Sequence, residues 1–441
     1  MRALTQCGHG AGGKRHPSRP ITMPGEDNHG VTRWLTHVRV LAEEIGPRGP
    51  TTSGERRGLD YCAGVLSACG LRTGEDRFTS TGSVFRPHLV AATAILVAYA
   101  LYPVALPASA LVSAALVTFV MVCEVMELTL RPNPLQLIPP RRPSANVYGV
   151  LEPGPAGSAA TGAAQTEVMR DVILIGHVDT QRTPRIFSSP GWFLAYRIYS
   201  TVAFGTFILL IFVYGLGALF GWRWAWPVST VAAVMAVLLV MLCLEAERSP
   251  FTRGANDNAT GAGLVLALAQ EFASNPLPGC RVWFVCSGCE EALHEGAKAF
   301  FAAHKHGMVE PRAVAFEMLG CAGPAWLVRE GIVLPLYADR RLRALAEKVA
   351  RDNPHLGAYP TSVGGGVTEM SDALLAGVPA ITVMGLTRDG RAPYWHTPAD
   401  AVDKMDPEIM QRNYRFVRAL VEAIASAPGP SHPGSLDSPP S

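Results

Sequence analysis

DVILIGHVDT (Asp171–Thr180) is the stretch that decides the fold. Val172–Gly176 is a short apolar run closed off by polar residues, the form of a strand buried on both faces. Four other runs read the same way: Ala145–Leu151, Val282–Ser287, Ala313–Met318 and Ala380–Met384. Helical patterns lie between and after them, over Thr260–Ala273, Glu290–Ala303, Arg341–Arg351 and Pro407–Ala427. Upstream, Thr32–Glu44 reads as a helix, and Thr52-Ser53-Gly54-Glu55 has the capping-box form that opens another, reaching about Cys69. Alternating strands and helices predict an α/β fold, a central sheet with helices on both faces.

The rest of the 441-residue chain departs from an ordinary α/β protein in its composition. Only 17% of residues are charged, 49% are hydrophobic, and the mean hydropathy is +0.19. This excludes a largely disordered chain and points to long apolar runs. Residues 87–123 hold no Asp, Glu, Lys or Arg; neither do residues 198–222 or 224–244. The first run carries Pro103 and Pro107 near its middle and overshoots the ~20 residues a spanning helix needs. It therefore reads as two short spans. The other two form a second hairpin with Gly221-Trp222-Arg223-Trp224 at its tip, tryptophan being suited to a membrane interface.

Four transmembrane helices in two hairpins leave residues 1–86, 128–195 and 246–441 on one side. Ten arginines from Arg77 to Arg253 flank the spans there, and Arg223 stands alone on the other side. The positive-inside rule assigns the large polar part to the cytoplasm. Nine scattered cysteines fit a reducing compartment. The first 30 residues show no apolar run of the kind a cleaved secretory signal carries. A net charge of +2 gives no electrostatic case for nucleic acid.

The expected organisation is a disordered segment (1–30), an amino-terminal part of the polar domain (31–86), a hairpin (87–127), a second domain part (128–195), a second hairpin (196–245), the main domain part (246–427) and a disordered tail (428–441). Residues 152–168 read as a flexible loop.

In an α/β sheet, sites form beyond the carboxyl ends of the strands. His177 and Asp179 follow the first strand quoted above, Glu290 and Glu291 follow RVWFVCSGC, and Glu317 follows RAVAF. Asp257 sits in the loop RGANDNATGAG, and His396 in the late loop YWHTPAD. Two imidazoles with carboxylate oxygens suit zinc, and a bridging carboxylate lets a site hold two ions. Asp179 can turn back to His177 and set its tautomer. Of the adjacent Glu290 and Glu291, one can bind metal while the other moves protons. Each piece alone is ordinary, since an acidic pair at a helix start commonly complements the helix dipole and an Asp among Gly and Asn commonly forms a turn. Their joint order is what carries weight.

That order is HVDT (His177–Thr180), GANDNATGAG (Gly254–Gly263), CEEALHEGAKAF (Cys289–Phe300), FEMLG (Phe316–Gly320), SDALLAGVPAI (Ser371–Ile381) and YWHTPAD (Tyr394–Asp400). It resembles the two-zinc aminopeptidases of metallopeptidase family 28, as does His37–Leu71 with the amino-terminal helices of that family. The resemblance implies a zinc-exopeptidase-like fold with a mixed sheet. It implies one zinc held by His177, Asp257 and Glu317, and another held by Asp257, Glu291 and His396. Glu290 is then the general base and Asp179 orients His177. Glu317 stands where the family usually has Asp; members often carry a Tyr near the last His, whereas here Trp395 precedes His396 and Tyr394, one further back, is not assigned that role. Eighty positions separate His177 from Asp257, and the excess over the family spacing is about one membrane hairpin.

The expectation is thus a membrane-anchored zinc aminopeptidase acting on peptides, with the lipid bilayer as its second partner. The alternatives are a catalytically silent scaffold of the same fold and a one-zinc transferase that cyclises amino-terminal glutamine. A transporter fits poorly, because the spans hold no ionisable residue suited to a pathway. Cys286-x-x-Cys289 lacks a second pair. His294-Glu295 fails as the start of HExxH because position 298 is Lys298. Gly364–Gly366 lacks a following Lys-Ser/Thr, so it is not a phosphate loop.

Overall fold

The computed structural model describes residues 27–154 and 168–428. Most of the expected disordered ends and of the loop 152–168 lie outside the described residues, but residues 27–30, expected to be disordered, open the first helix. In chain order the helices are α1 (Asp27–Arg39), α2 (Ser53–Ala68), α3 (Phe85–Leu101), α4 (Ala108–Leu128), α5 (Pro190–Phe220), α6 (Ala225–Val228), α7 (Thr230–Arg248), α8 (Thr260–Ser274), α9 (Glu295–His304), α10 (Arg340–Asp352), α11 (Glu369–Leu375) and α12 (Pro407–Ser426). The strands are β1 (Arg72–Ser80), β2 (Arg142–Leu151), β3 (Arg170–His177), β4 (Cys280–Ser287), β5 (Arg312–Glu317), β6 (Ala325–Glu330), β7 (Leu336–Tyr337), β8 (Tyr359–Ser362) and β9 (Ala380–Met384).

The nine strands form one mixed sheet in the order β1-β2-β4-β3-β5-β9-β6-β7, with β8 pairing β6. Its centre, β4-β3-β5-β9, is parallel, and β1 and β2 run antiparallel along one edge. Every residue of β3 is buried, as its unbroken apolar run requires. The chain passes from β3 to β4 on one side and then crosses to β5 on the other, so β3 marks the point where strand order reverses. A crevice at the carboxyl ends of the strands follows from that reversal.

Thr52 caps α2, its hydroxyl accepting from the Glu55 N–H. The Glu55 carboxylate bonds not to the Thr52 N–H, as the capping-box form predicts, but to that of Thr51. α12 starts on the Asp406 cap with Pro407 in its first turn, and buries Met410, Tyr414, Val417, Val421 and Ile424 at helical spacing. The helix expected over Glu290–Ala303 begins only at Glu295. Cys289, Leu293 and His294 have φ of 53°, 72° and 57°, which no right-handed helix admits, so the acidic pair lies in a turn. The helix expected over Thr32–Glu44 ends at Arg39 and passes into a wider turn over Val40–Ile45.

The inserted segments build their own apolar core, separate from that of the sheet domain, with Tyr102, Val117, Phe207, Leu210 and Tyr214 inside it. α3 packs on α4 and α7, and α4 packs on α5. Their outer faces are apolar too, as Leu111, Leu209, Phe212 and Leu219 show. Among the described residues, three helical stretches are long and apolar enough to cross a membrane: α4 (Ala108–Leu128), α5 (Pro190–Phe220) and α6 with α7 (Ala225–Arg248). α3, the first of the four expected spans, has 17 residues, about 26 Å at ~1.5 Å per residue against a hydrocarbon core of ~30 Å. Tyr102 still donates its N–H to the Ala98 carbonyl, but Pro103 has no N–H with which to continue the ladder, so the helix stops there. α5 runs unbroken through residue 195, so the expected domain boundary there coincides with no break in structure.

Each insertion leaves and re-enters at adjacent points. Ser80 at the end of β1 pairs with Arg142 at the start of β2. Arg182 bridges Phe251, and the Thr183 N–H donates to the Pro250 carbonyl at 2.9 Å. Both exits lie on the site side of the sheet: the second follows β3, and β2 enters beside the carboxyl end of β4, where Val147 pairs with Cys286.

Candidate active site

His177 is the last residue of β3 and pairs with Ser287, the last residue of β4. Glu317 ends β5, two residues after Ala315, which pairs with Ile175. Strand register alone thus brings His177 and Glu317 level. The loop before α8 supplies Asp257, the turn after β4 supplies Glu290 and Glu291, and the loop after β9 supplies His396. All six side chains are buried, none more than 8% exposed.

His177 Nε2 lies 3.5 Å from Asp257 Oδ1, 3.4 Å from Glu317 Oε1 and 3.8 Å from Glu290 Oε2. His396 Nε2 lies 3.3 Å from Asp257 Oδ2 and 3.2 Å from Glu291 Oε1. Among the described residues three groups have donor atoms mutually within 4.8 Å: His177–Glu290–Glu291, and the two expected ligand sets, His177–Asp257–Glu317 and Asp257–Glu291–His396. Asp257 belongs to both, with one oxygen turned to each. Glu317, the longer residue where the resemblance has Asp, reaches its set.

The donor set fits a cation. Asp257 Oδ2 and Glu291 Oε1 are buried without a hydrogen-bond partner despite lying near the His396 ring. Burial raises the carboxyl of Glu317 to about 8 and that of Glu290 well above its ordinary range, so in the metal-free site protons compensate the charge. Burial also acts to raise Asp257, but the His177 and His396 imidazoles hold it well below the usual range. Burial acts to lower His396, and the facing Glu291 and Asp257 carboxylates lift it to about 9. Divalent cations take the place of such protons.

Buried carboxylates grip the ligand loops by their backbones. Asp179, fully buried, accepts the Glu290 N–H on Oδ1 at 3.1 Å and the Glu291 N–H on Oδ2 at 3.0 Å. Asp400 accepts the Asn256 N–H at 2.6 Å and the Asp257 N–H at 3.0 Å. Glu55 accepts the Cys289 N–H at 2.9 Å. The expected contact from the Asp179 carboxylate to His177 is long, at 3.7 Å. The Asp179 main-chain oxygen makes the bond instead, 3.1 Å from Nδ1, because the carboxylate is engaged by the acidic turn.

Other positioning groups escaped the sequence reading. Gln181 donates to Glu291 Oε2 at 2.9 Å, which turns Oε1 toward His396. The Asn258 side chain donates to the Phe316 carbonyl and accepts from the Gly261 and Met318 N–H groups, tying the Asp257 loop to Glu317. Arg48, wholly buried, donates to the carbonyls of Val178, Leu41, Gly46, Arg253 and Gly254. His294 Nε2 stands 3.2 Å from Glu290 Oε1, and its Nδ1 lies 3.0 Å from Asp372 Oδ2. The four-residue step from Glu290 to His294 was its sequence signal, obscured because the segment is a turn and not a helix.

Residues 239–421 match the model of peptidase family M28. No curated protein matches the chain. Among solved structures, a leucine aminopeptidase precursor from Bacteroides thetaiotaomicron is 13% identical, covers 93% of this chain and 100% of its own, and has a TM-score of 0.52. A zinc aminopeptidase from Bacillus subtilis is 12% identical over 89% and 94%, with a TM-score of 0.51. A glutaminyl cyclase from Tannerella forsythia is 14% identical over 89% and 98%, also with a TM-score of 0.51. At these identities the structural likeness is one of fold.

Proposed function

Taking the chain as a relative of the aminopeptidase-like peptidases of family M28, we propose that it is a membrane-anchored, zinc-dependent exopeptidase, an aminopeptidase that hydrolyses the amino-terminal peptide bond. The observation that carries this reading is the pair of ligand sets sharing Asp257, one oxygen to each. His177, Asp257 and Glu317 would hold one ion; Asp257, Glu291 and His396 would hold the other. Bound there, zinc supplies Lewis-acid polarisation of a carbonyl and acidifies water. Glu290 takes the proton of the attacking water and delivers it to the leaving amine nitrogen. Its Oε2 faces His177, while Oε1 rests against His294, which Asp372 holds from behind. Asp179 fixes the turn that presents Glu290.

The anchor in this reading is four spans in two hairpins, with the short α3 completing the first. The arginine distribution supports a catalytic domain on the cytoplasmic side. Peptides are the substrates, and the lipid bilayer is the lasting partner.

The test uses the full chain purified in detergent. Metal analysis should find zinc in the parent and in Glu290→Gln, and little in His177→Ala. Aminoacyl peptides should be cleaved by the parent alone. Parental cleavage rates in Glu290→Gln would remove the proposed base. Ammonia release from a glutamine-headed peptide would point to the cyclase chemistry instead, and bound metal with neither reaction would point to a silent scaffold.

A further inference from the structure

The cavity that holds the ligand sets is larger than an aminoacyl group needs. It encloses about 1240 Å³, whereas pockets for drug-sized ligands run to ~300–1,000 Å³. Its walls include His177, Glu290 and His396, and also Val84 just before α3, Leu128 at the end of α4 and Phe193 in the first turn of α5. These are the domain-side ends of three apolar helices. The insertions are therefore walls of the site as well as an anchor.

The length of α5 sets the level of that wall. Its 31 residues extend about 46 Å at ~1.5 Å per residue, well beyond a ~30 Å hydrocarbon core. With the uncharged residues 198–222 in the bilayer, the turns from Pro190 to Arg197 lie at the headgroup level on the domain side. Trp192 and Leu194 are exposed on those turns, as interfacial residues are. The same turns touch the ligand loop. Phe193 lies 5.9 Å from the Trp395 ring, and Phe187, just ahead of α5, meets the His396 ring edge-on at 4.7 Å. Across the cavity, Ile332 forms part of the wall, and with Val333 and Leu334 it makes an exposed apolar lip. Of the charged groups at this end, Glu127 accepts from Asn133 and Gln136 on Oε2 while its Oε1 is buried without a partner, and His88 pairs with Glu124.

We propose that the substrate is an aminoacyl amphiphile, a free α-amino acyl head joined through the scissile amide to an amine that carries a long alkyl chain. The head lies at the ligand sets and the chain runs between the helix ends toward the bilayer. This rests on the hydrolase reading above and adds the substrate class to it. Hydrolysis breaks the amide C–N bond, with water giving hydroxyl to the acyl carbon and a proton to the nitrogen. The products are a free amino acid and a long-chain amine.

The test compares leucyl amides of butylamine, octylamine and dodecylamine on the zinc-loaded full chain in lipid nanodiscs. The ratio kcat/KM should rise at least ~10-fold from butyl to dodecyl as methylenes leave water. Leu128→Asp, which puts a charge in the wall, should flatten that series. Binding gives an independent readout: by equilibrium dialysis, Glu290→Gln should hold radiolabelled leucyl dodecylamide at least ~10-fold more tightly than the butyl amide. A flat series in both rate and binding overturns the proposal while leaving the peptidase reading standing. Graded binding with no hydrolysis of any amide overturns the peptidase reading and keeps the amphiphile site. A clear preference for unlipidated hydrophobic peptides over dodecyl amides also overturns it.

Discussion

Replacing Asp179 with asparagine separates two explanations of why an acidic residue stands two positions after His177. In the structure the carboxylate accepts two consecutive backbone N–H groups, those of Glu290 and Glu291, and its main-chain oxygen holds the imidazole. The amide in Asp179→Asn would keep one acceptor and turn an NH2 toward the other N–H. One bond to a charged acceptor, worth ~1.5–3 kcal/mol, is lost, and a buried donor is left unpaired at ~1–3 kcal/mol. Against that, burial already strains the charge, since it pushes the Asp179 carboxyl up to about 7, and the substitution relieves this strain. The net loss of stability should be about 2 kcal/mol, read by denaturant titration of the detergent-solubilised protein. Zinc content should stay near parental, because the His177 contact is to the backbone. Activity should fall ~100-fold, the scale of a displacement of about 1 Å in a reacting group. If Asp179→Asn instead loses zinc as fully as His177→Ala, and excess zinc restores parental activity, the carboxylate acts through His177 and the reasoning fails.

Arg48→Met should cost about 3–5 kcal/mol, the scale of removing one member of a buried charged arrangement, because five carbonyls lose their donor; a denaturation midpoint within error of the parent would refute this. Removing metal with a chelator should lower the thermal midpoint as well as activity, since an ion at ~100 times its Kd contributes ~2.7 kcal/mol; an unchanged midpoint in verified metal-free protein counts against the two ligand sets. Glu330 is buried beneath Thr368 and Ser371, and burial raises its carboxyl from 4.5 to about 7. Its folded value exceeds its unfolded one, so its contribution is full below about 4.5 and fades as pH rises through about 7, a change of ~3 kcal/mol at ~1.36 kcal/mol per unit. Glu330→Gln lacks that slope, so its stability relative to the parent should improve between about pH 5 and pH 8; a constant difference across that range would refute the assignment.

The centre of the fold was legible because burial on both faces leaves an apolar run. β3, β4, β5 and β9 all show one, and site residues end or follow each of the four. The edge was not legible. β1 reads RTGEDRFTS, with most of its residues partly or fully exposed, and such a strand is specified by its pairing to β2 and not by its own composition. β6 was missed for another reason: four of its six residues are buried, but its apolar run is only Ala325–Val328 before Arg329 and the buried Glu330. The candidate ligands could be named because metal chemistry restricts residue type. Their supports could not, because any buried acceptor can hold a backbone N–H. Asp400 lay within a quoted motif and Glu55 within a capping pattern, yet nothing local shows that each reaches across the fold to a ligand loop. Arg48 is the extreme case: an arginine in a Gly-Pro-rich loop reads as surface, and most of its carbonyl partners come from distant parts of the chain.

The positions of the insertions explain how so much apolar sequence fits inside an α/β domain without displacing the ligands. An insertion is tolerated where its ends meet. Both sets of ends are clamped, by the Ser80–Arg142 pair and by the bridge between Arg182 and Phe251. The second clamp lies between His177 and Asp257 in sequence, and the two are still 3.5 Å apart. Helices emerging from the opposite face of the sheet would have anchored the domain equally well. These emerge at the end of the sheet where the strands reach the candidate ligands, so a bilayer around them would lie against the mouth of the site and not behind it. Anchorage alone does not require that placement; the proposed delivery of an apolar chain to the ligand sets would.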